Sequence, residues 1–136
     1  MNDVASELKS HGIQPSAQRV AVAGYVLSTH DHPSADDVFD KVRRSFPMIS
    51  RATVYNTPNL FVAKGLLARH ALSEGRVVFD CVVERHHHFV DEETGRIHDI
   101  PWGALKVDRV AKLAGFDVRE YQVVLRGRKR RGAKSD

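Results

Sequence analysis

Three consecutive histidines, His86, His87 and His88, are the residues of this 136-residue chain whose type and spacing first suggest chemistry. They lie in ERHHHFVDEETGRIHDI, which predicts two short strands, 86–90 and 95–100, around the turn DEETG. Because side chains alternate along a strand, His86 and His88 should share one face. His87 should point the other way, as an exposed polar side chain. Two imidazoles on one face, two residues apart, can both reach one metal ion.

Carboxylates and one further histidine complete a possible ligand set. Asp80 precedes the triplet by six residues, Asp99 lies on the expected partner strand, and His32 precedes a helix in the N-terminal half. The predicted metal ligands are therefore His32, Asp80, His86, His88 and Asp99. Nitrogen and oxygen donors without sulfur suit Fe(II), Mn(II) or Zn(II). Five donors exceed what tetrahedral zinc needs, and a metal joining both halves of the chain would act as a switch.

The remaining histidines and the single cysteine narrow the possibilities. His30 and His70 are isolated in the sequence, so we expect ordinary structural roles for them. His98 alternates with Asp99, so both should not point into one site. Cys81 is the only cysteine, which excludes an internal disulfide and any zinc site that needs two thiolates from one chain.

The sequence is expected to belong to a protein that does not enter a membrane, and the single cysteine fits a reducing cytoplasm. The chain has no apolar run of about 18 residues and no apolar leader sequence at its start. The segment RGRKRRGAKSD, residues 126–136, carries a net charge of +5, whereas the other 125 residues sum to −1. The pI near 9.5 therefore describes the end of the chain. Residues 128–136 are expected to form a disordered basic tail that can hold phosphate non-specifically.

Helical patterns fill the first half of the chain and strand patterns the second. Helices are predicted over residues 3–11, from Pro15 onward, from the N-cap Ser34 to Pro47, and from Ser50 to Gly65. The last two have helix-turn-helix spacing, and a hairpin around Glu74-Gly75 follows. Residues 1–80 therefore read as a winged-helix DNA-binding domain.

Residues 81–127 predict a strand–strand–helix–strand unit, with the helix over 102–114 and the closing strand FDVREYQVVLRG over 116–127. The predicted fold class is α+β: a winged helix-turn-helix domain followed by a small α/β dimerisation domain. About 45 residues make a small core, which would gain by burying a sheet edge or face against a second copy. We therefore expect a homodimer.

Two segments resemble the ferric uptake regulator (Fur) family. HPSADDVFDKVRRSFPMISRATVYN with LFVAKGLL is similar to its first domain, and FD with RHHHFVDEETGRIHDI is similar to its metal-binding hinge and dimerisation domain. The likeness covers residues 5–127. It implies a metal-dependent, homodimeric transcriptional repressor rather than an enzyme. In the peroxide-sensing branch three His and two Asp hold the regulatory metal, and by position these are the five ligands predicted above.

Asp99 favours that branch, because the iron-sensing branch tends to have Glu there. The resemblance then implies Fe(II) or Mn(II) at the site, with Zn(II) as a substitute. In that branch, bound Fe(II) reacts with hydrogen peroxide and the oxidant modifies a ligand histidine, so that DNA is released; by resemblance, that histidine would correspond to His32 or His86.

The chain departs from the family pattern in three ways. Asp91 and Thr94 stand where many members have the first Cys-x-x-Cys pair, and the second pair is missing, so no structural zinc site built from four cysteines is expected. Tyr121 replaces a common histidine, which puts a second regulatory site in doubt. Pro58 lies about two turns into the recognition helix, where proline costs roughly 3 kcal/mol. We expect that helix to be kinked, shortened or partly melted.

The residues expected to contact DNA precede that proline. Arginine pairs with guanine or phosphate, and an aromatic ring or a threonine methyl meets a thymine methyl. The candidates on that helix are Arg51, Thr53, Tyr55 and Asn56, and Arg19, in the helix that begins with PSAQR, is a candidate contact to the DNA backbone. A dimer of winged helices is expected to bind an inverted-repeat operator in double-stranded DNA.

Three alternative functions remain open from the sequence. One is an iron- or haem-responsive regulator of the same family, because a histidine-rich hinge can ligate haem. Another is a member whose DNA binding Pro58 has impaired. The third is a small metal-dependent hydrolase with Glu84 or Glu92 as general base. Five protein ligands would leave that hydrolase little room for substrate.

Overall fold

The first half of the chain forms four helices, each begun by a side chain that accepts a hydrogen bond from its first turn. The computed structural model describes residues 3–73 and 75–132. The capping residues are Asp3, Ser16, Ser34 and Ser50. Each satisfies a backbone N–H that the helix itself leaves without a partner. The helices are α1 (Val4–Ser10), α2 (Ala17–Val26), α3 (Ala35–Val42) and α4 (Arg51–Ala63).

Helix α4, the predicted recognition helix, runs for 13 residues through Pro58, so the expected shortening or melting is wrong. Pro58 has no N–H to donate to the carbonyl of Val54, and this loss costs roughly 3 kcal/mol. Burial compensates for it, because Val54, Thr57, Pro58 and Phe61 all pack inward. The helix therefore persists because its inner face belongs to the core.

The core of the N-terminal unit, Met1–Val83, is apolar and continuous from α1 to the wing. The wing is an antiparallel hairpin of β1 (Ala68–Ser73) and β2 (Arg76–Asp80), as the sequence predicted. Its register places Ala68 opposite Asp80 and His70 opposite Val78. Glu74, half of the predicted turn, lies outside the described residues.

The C-terminal unit, Glu84–Asp136, is built on a three-stranded sheet. Its strands are β3 (His86–Asp91), β4 (Ile97–Pro101) and β5 (Val124–Gly127), in the order β4-β3-β5. β3 pairs antiparallel with β4 and parallel with β5. Strands β3 and β4, which carry the histidines, thus lie where the sequence predicted, whereas the closing strand, β5, is shorter than predicted.

The predicted helix over residues 102–114 is not present. Two 3-10 turns, Trp102–Ala104 and Val110–Lys112, stand in its place. Neither turn has a side-chain cap, and Arg109 adopts a left-handed backbone with φ 67°, which interrupts a helix. Leu113, an apolar residue of this segment, is 53% exposed. The apolar residues of this segment therefore have no surface within the described chain against which a helix could pack.

The α+β class predicted from the sequence is confirmed, with helices in the first unit and the three-stranded sheet in the second. Among the described residues, no helix is both long and apolar enough to cross a bilayer. The predicted tail is described only as far as residue 132 and has no strand or helix there. Its residues 133–136 lie outside the described part, so their disorder stays a prediction.

Candidate metal centre and DNA-reading helix

The N-terminal cluster consists of His32, His70 and Asp80, gathered at the end of the wing. Asp80 is 2% exposed and His32 is 3% exposed. The backbone of His32 is left-handed, with φ 53°, a conformation that costs a non-glycine residue about 1 kcal/mol. A hydrogen bond from the Phe79 N–H to the Pro33 carbonyl, 2.8 Å long, ties this segment to β2. Such strain, held in place by its surroundings, is typical of a functional site.

One carboxylate oxygen of this cluster serves both imidazoles. The Nε2 atoms of His32 and His70 each lie 3.4 Å from Oδ2 of Asp80. The other oxygen, Oδ1, accepts a hydrogen bond of 2.9 Å from the backbone N–H of Val82. Asp80 is therefore fixed by its own turn, with Oδ2 facing the histidines.

His70 was predicted to have an ordinary structural role, and its position beside Asp80 is what the sequence analysis missed. His70 lies opposite Val78, and Val78 is two residues from Asp80, so all three share a face of the hairpin. Counting the register across the turn would have revealed the pair. His30, also predicted to be isolated, has its Nδ1 3.6 Å from Sγ of Cys81.

The C-terminal cluster consists of His86, His88 and Asp99, on the paired strands β3 and β4. The register sets His88 opposite Asp99. Oδ1 of Asp99 lies 3.2 Å from Nε2 of His86 and 3.6 Å from Nε2 of His88. The two imidazole rings meet edge to face, with centroids 4.5 Å apart. The shared face that strand alternation predicted for His86 and His88 is thus present.

Hydrogen bonds fix the tautomers of both imidazoles. Nδ1 of His86 lies 2.7 Å from the Glu84 carbonyl oxygen, and Nδ1 of His88 lies 2.8 Å from the Gln122 side-chain oxygen. Both oxygens only accept hydrogen bonds, so each Nδ1 carries the proton and donates it. The lone pair of each neutral ring is then on Nε2, the atom that faces Asp99. This is how a metal-ligating histidine is commonly oriented.

His87 points away from this cluster, as predicted, but it is buried at 1% exposure and not exposed. Its ring stacks on Trp102, with centroids 4.5 Å apart and planes 16° apart, and its Nδ1 accepts the Val123 N–H at 2.9 Å. Arg85 covers the tryptophan ring at 3.9 Å. Burial, with smaller contributions from the neighbouring His88, His86 and Arg85, lowers the pKa of His87. His87 is therefore a neutral core residue that secures the sheet.

Each cluster offers two imidazole nitrogens and one carboxylate within its own unit. The ligand nitrogens of His86 and His88, for example, lie within 4.8 Å of one another. Two histidines and one carboxylate form a donor set that suits Fe(II) and related ions and leaves positions open for further ligands. The residues present therefore fit a divalent metal, and they supply no sulfur.

The turn between β3 and β4 contains Asp91 and Thr94, which stand where the resemblance placed a cysteine pair. Asp91 is 5% exposed, and its Oδ1 accepts the N–H groups of Glu93 at 2.9 Å and Thr94 at 3.3 Å. Burial raises the pKa of Asp91, but these hydrogen bonds outweigh it, so the pKa lies below its ordinary value. A hydrogen-bonded carboxylate thus organises this turn.

The predicted DNA-reading residues lie mostly on the outer side of α4. Arg51, Tyr55 and Asn56 are exposed, Thr53 is half-buried, and Tyr55 is not the core aromatic that an apolar ring would suggest. Arg51 and Tyr55 both contact Asp36 of α3. Arg19, on α2, donates from Nη1 to the Gln14 carbonyl at 3.0 Å.

Comparison with known proteins found a matching family model and a similar relative. The model of the ferric uptake regulator family matches residues 10–126. The peroxide-responsive repressor PerR of Staphylococcus aureus (strain Mu50 / ATCC 700699) is 30% identical over 129 residues, which cover 93% of this chain and 87% of the relative. The chain therefore belongs to the ferric uptake regulator family. It is a metal-responsive transcriptional regulator and not an enzyme.

Solved structures are similar over nearly the whole chain. The ferric uptake regulator from Pseudomonas aeruginosa with manganese has a TM-score of 0.67 at 27% identity and covers 96% of this chain and 99% of its own. The Campylobacter jejuni peroxide stress regulator has a TM-score of 0.67 at 26% identity and covers 98% and 100%.

Proposed function

We propose that this chain is a dimeric, metal-dependent repressor that binds an inverted-repeat operator and releases it when hydrogen peroxide oxidises a ligand histidine. The observation that carries the proposal is the pairing of imidazoles with a carboxylate in both units, buried at His32 and Asp80 in the first and partly exposed at Asp99 in the second. Asp80 faces His32 in the first unit, and Asp99 faces His86 and His88 in the second. The chain has donors for a metal on both sides of the boundary near residue 84.

We propose that one divalent ion, Fe(II) or Mn(II), is held by His32, Asp80, His86, His88 and Asp99, with Zn(II) as a substitute. The fixed tautomers of His86 and His88 support this set, because both rings present an Nε2 lone pair toward Asp99. The single cysteine leaves no four-cysteine zinc site in one chain, so the dimer has to rely on packing.

Peroxide is the proposed signal for two reasons. Asp99 stands where the iron-sensing branch tends to have the longer glutamate, and a relative with 30% identity is named a peroxide-responsive repressor. When bound, Fe(II) would supply the redox chemistry for inserting one oxygen of hydrogen peroxide into an imidazole C–H bond, with the other oxygen leaving as water. His32 and His86 are the proposed targets.

The consequence of oxidation follows from what the ligands hold. An oxygenated imidazole is a poorer donor, so the ligand set loses one of its nitrogens. His32 and Asp80 then no longer share an ion with the C-terminal residues, and the winged helix is no longer fixed for DNA binding. In the metal-bound dimer, two copies of α4 would read two half-sites related by two-fold symmetry. The uninterrupted course of α4 through Pro58 favours a helix able to bind DNA over an impaired one.

The experiment that tests this function is mass spectrometry of the whole protein, loaded with Fe(II) or Mn(II) and treated with a small excess of hydrogen peroxide. The expected result is a gain of one oxygen with iron only, located by peptide sequencing on His32 or His86. His87 is an internal control, because it lies between two proposed ligands yet faces the core. DNA affinity should fall in parallel, measured on duplexes selected from a random-sequence pool.

Two results would contradict the proposal in different ways. Oxygen spread equally over His87 and His11 would mean that oxidation is not directed by a bound metal. Normal metal binding without histidine oxidation would remove peroxide as the signal. A Soret band on adding haem, with loss of DNA affinity, would then assign the alternative of a haem-responsive regulator.

A further inference from the structure

Asp36, in the first turn of α3, is contacted by side chains of α4, the proposed DNA-reading helix. Among the described residues, no other carboxylate has such contacts with α4. Oδ1 of Asp36 accepts a hydrogen bond from the Tyr55 hydroxyl and lies 3.4 Å from Nη1 of Arg51. Both partners are predicted DNA contacts on α4. One exposed carboxylate oxygen therefore engages two side chains that are expected to read bases.

We propose that Asp36 is a specificity-determining residue: its carboxylate holds Arg51 and Tyr55 in one arrangement and prevents Arg51 from binding phosphate of any sequence. This inference rests on the DNA binding proposed above. It concerns which DNA is preferred, and it is independent of the metal and of peroxide.

Asp36 is not required to cap its own helix. The capping box of α3 is made by Ser34 and Asp37, whose side chains bond each other's backbone N–H groups. The side chain of Asp36 is 70% exposed and reaches toward α4 instead. Its position is thus explained by the contacts with Arg51 and Tyr55.

A second contact limits where the Arg51 guanidinium can go. Its central carbon lies 4.5 Å from the centre of the Phe39 ring, also on α3. Between the ring and the Asp36 carboxylate, the guanidinium is held beside the N-terminal end of α4. The hydrogen bond to Asp36 also raises the pKa of Tyr55, because ionising the hydroxyl would remove the proton that it donates to the carboxylate.

Charge explains how such a carboxylate selects among DNA sequences. A free arginine at this surface would bind any phosphate, and this contributes affinity without sequence information. A carboxylate beside it repels phosphate oxygens, while the guanidinium N–H groups that do not bind Asp36 can still meet a guanine edge. Asp36 therefore reduces binding to all DNA while favouring base contacts.

The experiment compares Asp36→Ala and Asp36→Asn with the wild type, each loaded with Mn(II). Kd is measured at several salt concentrations for a duplex selected by the wild type from a random pool and for a shuffled duplex of equal composition. The matched control is Asp40→Ala on the same helix, because Asp40 is similarly exposed, at 58%, and pairs with Arg43 at 3.3 Å. Thermal unfolding of each variant establishes that it is folded.

The expected result is that Asp36→Ala binds shuffled DNA more tightly, with a log–log salt slope steeper by about 0.9, as for one added phosphate contact. The ratio of selected to shuffled affinity should fall by roughly tenfold, the discrimination expected of one base-reading arginine. Asp36→Asn should show the same added salt slope, because it removes the same charge. Asp40→Ala should keep the wild-type ratio.

An unchanged ratio in Asp36→Ala, or an equal fall in Asp40→Ala, would overturn the role of Asp36 and leave the proposed function intact. Failure of the wild type to select any sequence would contradict the proposed function itself. The contact is then tested in the free protein by ultraviolet titration, with Tyr55→Phe to assign the signal. Asp36→Ala should lower the pKa of Tyr55 toward its ordinary value of 10.0, and no change would overturn the inference.

Discussion

Replacing Gln122 with leucine is expected to weaken metal binding, although Gln122 is not a proposed ligand. The Gln122 side-chain oxygen accepts the Nδ1 proton of His88 at 2.8 Å, while His88 itself is fully buried. Leucine has a similar size and cannot accept a hydrogen bond. Without that acceptor, residue 122 no longer favours the tautomer of His88 that carries its proton on Nδ1 and its lone pair on Nε2.

The size of the effect follows from the exposure of Gln122. Losing a hydrogen-bond partner of a metal-ligating histidine typically reduces metal affinity about 10- to 100-fold. Gln122 is exposed, so water can partly replace its oxygen. We therefore expect the lower end, about tenfold or roughly 1.4 kcal/mol. Gln122→Glu should act in the opposite direction, because a carboxylate accepts the proton more strongly and makes the imidazole a better donor.

The assay is titration of the metal-free protein with Mn(II), with free Mn(II) followed by electron paramagnetic resonance. Gln18→Leu, at an exposed position of α2, is the matched control. Equal Mn(II) affinity in wild type and Gln122→Leu would refute the orienting role of Gln122. Equal losses in Gln122→Leu and Gln18→Leu would show that the effect is general.

Three further predictions concern the wing, the recognition helix and the turn between β3 and β4. His70→Leu should weaken Mn(II) binding in the same titration while His11→Leu does not, because Nε2 of His70 lies 3.4 Å from the Asp80 oxygen; equal affinities would assign His70 to the wing alone. Pro58→Ala should raise the free energy of unfolding in urea by about 1 kcal/mol. Replacing proline inside a helix stabilises the helix by about 3 kcal/mol, which exceeds the loss of about two buried carbons at ~0.8 kcal/mol each. A lower stability would mean that the proline ring is essential to the core. Asp91→Asn should be less stable than the wild type at pH 7, because a carboxyl group with a lowered pKa stabilises the fold only while it is charged. The difference in stability should therefore vanish as the pH falls below the ordinary pKa of 3.8 and through the lowered pKa of the folded protein. A difference that persists in acid would contradict this cause.

Strand alternation was sufficient to predict the C-terminal cluster. The two-residue period placed His86 and His88 on one face, and the short turn at residues 92–95 identified the partner strand that carries Asp99. The same rule gave the direction of His87 correctly but its burial wrongly. The two-residue period does not show whether the opposite face of strand β3 is covered. Here Trp102 and Tyr121, each more than ten residues away along the chain, cover that face at His87.

The fate of Pro58 shows a similar limit. Local propensity predicted a damaged helix, and propensity was outweighed by the burial of one face of α4 in the core. In the opposite direction, residues 102–114 have helical spacing but form only two 3-10 turns. A stripe of apolar residues yields a helix only where a surface exists for it to cover.

The sequence by itself determined the donor types, the strand periods, the helix caps and the family, because each of these depends on residues close together in the chain or on a pattern spread along it. The tertiary structure decided the pairings that join distant positions: His70 with Asp80 across the wing, Gln122 with His88 across the sheet, and Asp36 with Arg51 and Tyr55 between two helices. Those contacts depend on strand register and on helix packing, which no local pattern of residues specifies.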